Sequence, residues 1–584
     1  MIRYQPDESP PAPLALGLGF QQAALCIAGI VLTPLIVIRA AGLAEDGYLV
    51  WAVFAALAIS GLTTILQARR LGPVGAGYPL LMGTSGAFIA VSVTALVEGG
   101  PGMLATLIFV SALFQFLLAA RLSWVRRVIT PTVAGTVIML IAVTVMPIIF
   151  DMLADVPEGT SPAGAPVSAA VTLGVVAGLA LRASGALRLW APVIGLVAGC
   201  VTSSFFGLYD VDRVLAADWI GMPLDWPGIG LHFGPEFWAL LPAFVFVTLI
   251  GAIETVGDSM GVQTVAWRKP RAIDFREVQG AVAADGVGNL LSGLAATVPN
   301  TTYSSSIAIT ELTGVAARSV GVWIGVVFIV AAFLPKAAAV LLAIPAPVAA
   351  AYITVLLAML FVLGMRMIVR DGADARKAVI VGVSFWVGVG FQNQVIFADQ
   401  LGEFWGTLLG NGMTTGGLTA MVLTGFLNFT STRSRRVRTT LDADAVPQVV
   451  AFLRAFAEAR RWAAEAADRL CAAGEEALHS LLAQHEAADQ GSPRDLLLTA
   501  RSDGHDAELE FVAATGGGNV EDNLLLLSER PEQPEPHELS LRLLRHYASS
   551  VHHQQYHGTD IVTVHVSGRG AALSANDDTT AETG

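Results

Sequence analysis

Apolar runs of about twenty residues recur from Leu14 to Phe429, each long enough to cross the roughly 30 Å hydrocarbon layer of a bilayer as a helix. About fourteen can be counted, at 14–38, 48–66, 78–97, 103–120, 133–150, 165–182, 190–207, 237–257, 281–296, 300–314, 319–334, 347–364, 377–396 and 405–428. In hydrocarbon every backbone N–H and C=O needs a partner inside the protein, which leaves helices or closed barrels, and runs of this length read as helices. The composition agrees: only 14% of the 584 residues are charged and mean hydropathy is +0.63, against roughly 25% charged in a soluble domain. An all-α polytopic membrane protein follows.

Charge orients it. The connections after even-numbered spans carry sixteen Arg and Lys, among them Arg69, Arg127, Arg268 and Arg376, while those after odd-numbered spans carry three, Arg39, Arg213 and Lys336. Positive charge stays on the cytoplasmic side, so both termini are expected in the cytoplasm and the chain in the cell's inner (plasma) membrane. Residues 1–13 lack the basic region of a secretory signal, so the first span should be retained. The net charge of −13 sits largely in the tail and loops; it reports topology and points to no nucleic-acid partner. Cys26, Cys200 and Cys471 lie far apart without metal-ligand spacing, and no metal or cofactor is expected.

Fourteen spans divide into two sets of seven in opposite orientation, the inverted-repeat plan of secondary transporters. The third span of each half carries the same irregularity. Gly75-Ala-Gly-Tyr-Pro-Leu-Leu-Met-Gly-Thr-Ser-Gly-Ala-Phe-Ile89 and Val298-Pro-Asn-Thr-Thr-Tyr-Ser-Ser-Ser-Ile307 each place Pro, an extended polar or Gly-rich stretch and a short helix where a span should be. Two facing breaks would aim two helix N-termini, each worth about half a positive charge, at one polar ligand. Phe88 and Tyr303 flank the breaks, as core aromatics or as a face for a planar ligand; Ser304 and Ser305 offer hydroxyls, or else small packing surfaces.

Intramembrane charges mark binding or ion pathways, because each costs at least ~2.5 kcal/mol to insert. Glu254 and Asp258 are spaced i, i+4 and share a helix face. Two carboxylates in one low-dielectric site cannot both ionise easily, the property a proton-coupled carrier needs. The plainer alternative is a helix-end pair in contact with Arg268 and Lys269. Asp285 is a third intramembrane acid, either functional or a tie between helices.

Five segments now resemble the nucleobase-ascorbate transporter family, the xanthine and uracil permeases, over residues 10–430. They are Gly19-Phe-Gln-Gln22; Gly72-Pro-Val-Gly-Ala-Gly-Tyr-Pro79 leading to Gly83-Thr-Ser-Gly-Ala-Phe-Ile89; Ile253-Glu-Thr-Val-Gly-Asp258; Ala284-Asp-Gly-Val-Gly-Asn289; and Pro299-Asn-Thr-Thr-Tyr303 continuing to Thr313-Gly314. The resemblance implies a core domain of spans 1–4 and 8–11, a gate domain of spans 5–7 and 12–14, an elevator-like displacement and a homodimer through the gate. It also implies that Glu254 binds the base, that Asp258 and Asp285 serve proton coupling together with Glu254, and that Gln22 stands where the family usually has a His. In span ten the family presents Gln-Asn or Glu-Asn to the base, whereas this chain has Ser305-Ser306, followed by Ala308 in place of Gly. Ser reaches less far and lacks the two-pronged amide contact, so substrate choice should differ more than mechanism.

The expected domains are an N-terminal tail at 1–13, the membrane domain at 14–430, a basic linker at 431–445, a cytoplasmic α+β domain at 446–567 and a disordered tail at 568–584. The α+β domain is expected as an amphipathic helix Val446–Leu470, strands at 507–513 and 523–527, a helix at 538–551 and a strand at 560–566. It faintly resembles the histidine-kinase-like ATPases of anti-sigma kinases through Glu475-Glu-Ala-Leu478. His479 and Ser480 occupy the magnesium-binding region and no Asp-x-Gly-x-Gly occurs, so a regulatory or scaffolding role without ATPase activity is expected. Gly516-Gly-Gly518 reads as a turn.

The sequence thus points to a carrier rather than an enzyme, a proton symporter of a xanthine, urate or uracil-class base. The alternatives are a sulfate-permease-like anion carrier and a base-responsive membrane sensor.

Overall fold

The computed structural model describes the chain except residues 1, 44–46, 123–129, 158, 229, 270, 371–374, 394–395, 397–408, 431–433, 488–493, 504–505, 514–518, 527–535, 558 and 568–584. It divides into a unit of residues 1–268 and 277–428 and a second unit of residues 269–276 and 429–584.

The first unit is helical. In its first half lie α1 (Ala12–Ala40), α2 (Tyr48–Arg69), the strand β1 (Met82–Thr84), α3 (Ile89–Ala120), α4 (Pro131–Met152), α5 (Gly164–Arg182), α6 (Gly185–Ser204) and the short α7 (Val211–Ala216). In the second lie α8 (Pro235–Val265), α9 (Phe275–Leu294), β2 (Asn300–Thr302), α10 (Ser305–Thr313), α11 (Arg318–Ala332), α12 (Pro335–Leu342), α13 (Ala346–Arg370), α14 (Ala375–Gln392) and α15 (Gly412–Thr430). Eight of the described helices are long and apolar enough to span a bilayer one by one. The remaining expected spans are helices that are less apolar, such as α9, or shorter, or pieces of broken ones. Runs 78–97 and 103–120 share α3, which breaks at Gly99 and Gly100 before Pro101; Gly100 takes φ +66°, a left-handed conformation that suits glycine. Part of the run 405–428 lies outside the described residues.

Close backbone approach organises the helices. A side chain on Gly61 of α2 would sit 2.6 Å from the Gly325 carbonyl of α11, and one on Gly135 of α4 would sit 2.5 Å from that of Gly364 on α13. Small residues at such crossings let helices pack where lipid supplies no hydrophobic drive. Arg3 and Tyr4, expected in a free tail, donate to the Gly314 carbonyl, and Arg268 pairs with Glu8 at 2.6 Å.

The two breaks meet. β1 and β2 pair antiparallel, with Met82 opposite Thr302, Gly83 opposite Thr301 and Thr84 opposite Asn300. Each extended stretch supplies the hydrogen bonds that the other would lack in hydrocarbon. Flanking bonds lengthen the ladder: Tyr303 N–H donates to Leu81 O at 2.9 Å and Ser85 N–H to Pro299 O at 2.9 Å. From α2, the Tyr48 hydroxyl and Trp51 indole donate to the carbonyls of Ala296 and Ala295, each at 2.8 Å, anchoring the loop that enters β2.

The second unit holds a five-stranded antiparallel sheet ordered β3-β4-β5-β7-β6, with β3 (Arg435–Thr440), β4 (Asp495–Asp503), β5 (Asp506–Ala513), β6 (Ser550–Tyr556) and β7 (Thr559–Ser567). Its helices are α16 (Ala445–Ala459), α17 (Ala464–Ala487), α18 (Val520–Leu526) and α19 (Pro536–Tyr547). Val449, Leu453, Phe456, Leu478 and Leu544 share one buried core with Leu498, Phe511, Val562 and Val564 from the sheet. Residues 269–276 belong to this unit: Ala272 N–H donates to Asp522 Oδ1 at 2.5 Å, and the Phe275 and Tyr556 rings lie 5.1 Å apart.

Four sequence expectations change here. The single helix at 446–470 is two, α16 and α17, parted where Arg461 takes φ +57°. The basic stretch at 435–440 is an edge strand with its arginines mostly outward, a placement that also guards the edge against further pairing. The expected strand at 523–527 is α18, because Asn519 Oδ1 accepts from Glu521 N–H at 2.9 Å and caps a helix. The helix expected to reach Val551 ends at Tyr547, where Ser549 N–H joins the sheet through the His565 carbonyl at 2.8 Å. Residues 516–518 and 568–584 lie outside the described residues.

Candidate functional site

α8 carries Glu254, Thr255 and Asp258 to the crossing of the two breaks. Asp258 is buried; its Oδ2 accepts from the Thr302 hydroxyl at 2.7 Å and its Oδ1 from the Ser304 hydroxyl at 2.5 Å. Arg268 goes to Glu8 instead, so a helix-end pairing of Asp258 with Arg268 does not form. Glu254, one turn earlier, is partly accessible and accepts no hydrogen bond among the described residues. Gly257 and Ser304 are exposed, while Tyr303 and Ser305 are partly so, which gives this end of α8 and α10 an accessible strip beside Glu254.

Asp285 lies on α9 at 0% exposure. Its Oδ2 accepts from Gln115 Nε2 of α3 at 2.7 Å and from the Thr255 hydroxyl at 2.8 Å. Asn289, one turn on, donates to Gln115 Oε1 at 2.8 Å and to Asp285 Oδ1 at 3.3 Å, and its own Oδ1 accepts from Asn300 N–H of β2 at 2.7 Å. Asp285 therefore does tie α9 to its neighbours. Thr302 and Thr255 hydroxyl oxygens lie 3.4 Å apart, so the Asp258 and Asp285 clusters touch.

α1 lines the second break. Cys26 Sγ lies 3.4 Å from Ser305 Oγ, and a side chain on Gly29 would sit 3.4 Å from the Tyr303 hydroxyl. Gln22, one turn before Cys26, lies on the same face. It is 1% exposed, and neither its amide oxygen nor its amide nitrogen has a hydrogen-bond partner. An amide in that condition costs about 1–3 kcal/mol unless something else satisfies it.

The aromatic candidates are packed. Tyr303 donates its hydroxyl to the Thr84 carbonyl at 2.9 Å, and its ring covers Gly83, where a side chain would come within 2.7 Å of the hydroxyl. Phe88 is buried, 6.3 Å from the Phe244 ring. Ser306 closes the first break by accepting from Leu81 N–H at 2.9 Å. A cavity of about 870 Å³ is lined by residues that include Arg3, Tyr4, Glu8, Arg268 and Leu312, none of which bonds to Glu254, Asp258 or Asp285 in the contacts just described. Among the described residues no cluster of His, Cys, Asp and Glu could hold a metal ion.

Sequence reasoning missed Gln115, Thr255 and Thr302, which bond to the buried acids, and Cys26, which lies against Ser305. Gln115 was detectable in principle, since it is a lone amide in the apolar run 103–120. Thr255 carried no signal, because a hydroxyl in a helical span usually returns to its own helix carbonyl, whereas Thr302 stood in the polar second break with no role assigned to it.

Comparison with known proteins adds the following. A sequence model of xanthine/uracil permeases, described as the Permease family, matches residues 15–395. The xanthine permease XanP of Escherichia coli (strain K12) is 28% identical over 440 residues, 72% of this chain and 93% of its own. The uric acid permease PucK of Bacillus subtilis (strain 168) is 28% identical over 431 residues, 72% of this chain and 97% of its own. Among solved structures, the murine Solute Carrier 26 family member A9 anion transporter in its inward-facing state matches with a TM-score of 0.50 at 13% identity, over 74% of this chain and 71% of that one. At that identity the likeness is one of fold, the 7+7 helical plan.

Proposed function

Because the chain belongs to the xanthine/uracil permease family, whose members are nucleobase permeases and not enzymes, we propose that it carries a xanthine, urate or uracil-class base into the cell together with a proton. The observations that carry this reading are a buried, unpartnered amide at Gln22 and a partly accessible carboxylate at Glu254 that accepts no hydrogen bond among the described residues. A nucleobase edge alternates N–H donors with carbonyl acceptors and can satisfy both. Glu254 accepts from the base, Gln22 donates and accepts, and Ser305 and Ser304 contribute hydroxyls from the rim of the second break. Phe88 and Tyr303 shape the floor on which the ring stacks. Asp258 and Asp285, with Glu254, hold the transported proton.

A fixed carboxylate repels sulfate, which disfavours the anion-carrier alternative. The protein works as a homodimer in the plasma membrane with both termini in the cytoplasm, and the core moves against the gate. Its tail acts as a regulatory or scaffolding domain without ATPase activity.

The test is uptake of radiolabelled xanthine, urate, uracil and sulfate into proteoliposomes with an imposed pH gradient. Base uptake that a protonophore abolishes and sodium leaves unchanged is the expected result. Sulfate uptake, or a requirement for sodium, contradicts the reading.

A further inference from the structure

We propose that the hydroxyls of Thr255 and Thr302 form a proton wire between Asp285 on α9 and Asp258 on α8, with Gln115 as the positioning residue at its far end. The proposal rests on the reading of the chain as proton-coupled. Its basis is a continuous line of buried oxygens: Asp285 Oδ2 to Thr255 Oγ1 at 2.8 Å, Thr255 Oγ1 to Thr302 Oγ1 at 3.4 Å, and Thr302 Oγ1 to Asp258 Oδ2 at 2.7 Å. Thr255, Thr302 and Asp285 are each fully buried and Asp258 nearly so, so bulk water does not compete along this line.

A hydroxyl donates one hydrogen bond and accepts two, so it can pass a proton on without a change in its own charge. With a proton on Asp285, that carboxyl donates to Thr255, Thr255 donates to Thr302, and Thr302 donates to ionised Asp258. Three protons each shift across one hydrogen bond. Asp258 is then protonated, Asp285 is ionised, all three bonds are reversed and both threonines are again neutral. Only O–H bonds form and break, and no other reactant is needed.

The middle contact, at 3.4 Å, is longer than an ordinary O–H···O bond of about 2.8 Å. Transfer therefore waits on an approach of β2 toward α8, which would tie it to movement of the break that carries Tyr303, Ser304 and Ser305. Gln115 fixes the far end. Its Nε2 holds the same Asp285 oxygen that faces Thr255, and its Oε1 accepts from Asn289, whose own oxygen is occupied by Asn300 N–H, so the amide cannot turn over without losing bonds. The charged groups facing the line are Asp258, Asp285 and Glu254.

The test uses the full chain in proteoliposomes and compares two readouts. Base exchange at equal pH needs binding and displacement but no net proton movement; accumulation driven by a pH gradient needs both. Thr255→Val keeps the shape and removes the hydroxyl, and it should leave exchange within about threefold while lowering gradient-driven accumulation by roughly tenfold or more. Thr255→Ser should restore accumulation. Thr302→Val with Thr302→Ser gives the same contrast should Thr255→Val fail to insert. Gln115→Met should displace the pH profile of accumulation, with exchange retained. Valine variants that accumulate base like wild type overturn the wire, as do variants in which exchange and accumulation fall together without rescue by serine. A wild-type protein that exchanges base but never accumulates it on a pH gradient overturns the symport reading itself.

Discussion

The polar groups of the apolar unit fall into two sets that differ in how completely the protein satisfies them. Around Asp285 and Asp258, amides and hydroxyls from α3, α8, α9, β2 and Ser304 meet in a mutually bonded cluster. At Gln22 the buried amide has no partner, and at Glu254 the carboxylate accepts nothing among the described residues. Buried polar groups are almost always bonded. The saturated region is therefore built to hold its own geometry, and the unsaturated one is built to receive something else.

That contrast predicts opposite responses to mutation. Asn289→Leu removes the acceptor of Asn300 N–H and a donor to both Gln115 and Asp285, so the ligand-free protein should lose about 2–4 kcal/mol of stability. Thermal melting in detergent reads this, and an unchanged melt would dissolve the distinction.

Gln22→Leu should do the reverse. Removing an amide that the protein leaves unpartnered should hold or raise the ligand-free melting temperature, while base affinity falls roughly tenfold, as for loss of one or two hydrogen bonds. A destabilised protein with intact affinity would move Gln22 to the saturated side.

The tail sharpens the comparison because it too contains an unpartnered buried atom. His553 Nδ1 accepts from Val520 N–H at 2.9 Å, while Nε2 has no hydrogen bond and lies 3.9 Å from Asp560. Burial pushes this imidazole down from 6.5 to about 4, outweighing the opposite pull of Asp560 and Glu521. Between those values the unfolded chain binds the proton that the folded one refuses. The contribution is therefore full above about pH 6.5 and lost as pH falls toward 4, and about 1 kcal/mol should be gone by pH 5.5. Hydrogen-exchange protection of residues 550–556 in the full chain, corrected for intrinsic rate, should drop between pH 7 and 5.5. In His553→Asn the drop should be smaller; protection that rises on acidification would refute the sign.

Ser305 gives the smallest effect. If its hydroxyl makes one neutral bond to the base, Ser305→Ala costs about 0.5–1 kcal/mol of binding, and Ser305→Gln changes the ranking among xanthine, urate and uracil in competition assays. An unchanged ranking would leave Ser305 as a packing partner of Cys26, 3.4 Å away.

The spans, the paired breaks and the three acids were legible in the sequence because each violates or obeys hydrocarbon chemistry at single-residue resolution. That the two breaks face one another was expected, but the antiparallel pairing of β1 with β2, by which each stretch satisfies the other, came only from the structure. Gln115, Thr255 and Thr302 were not legible, since their role depends on which helices cross, and nothing in the local pattern of α3 or α8 says that Gln115 reaches Asp285. In the tail, α18 was misread because its leucine run suits either structure and only the Asn519 cap, made through tertiary placement beside His553, decides.

The most direct measurement is calorimetric binding of xanthine, urate and uracil to purified wild-type protein and to Glu254→Gln. The account predicts that the near-isosteric variant melts like wild type without ligand yet binds the preferred base roughly ten- to a hundredfold more weakly, the loss of one charge-assisted hydrogen bond. Equal affinity in the two proteins would contradict the assignment of Glu254, and with it the claim that the unpartnered groups of the apolar unit are where the base binds.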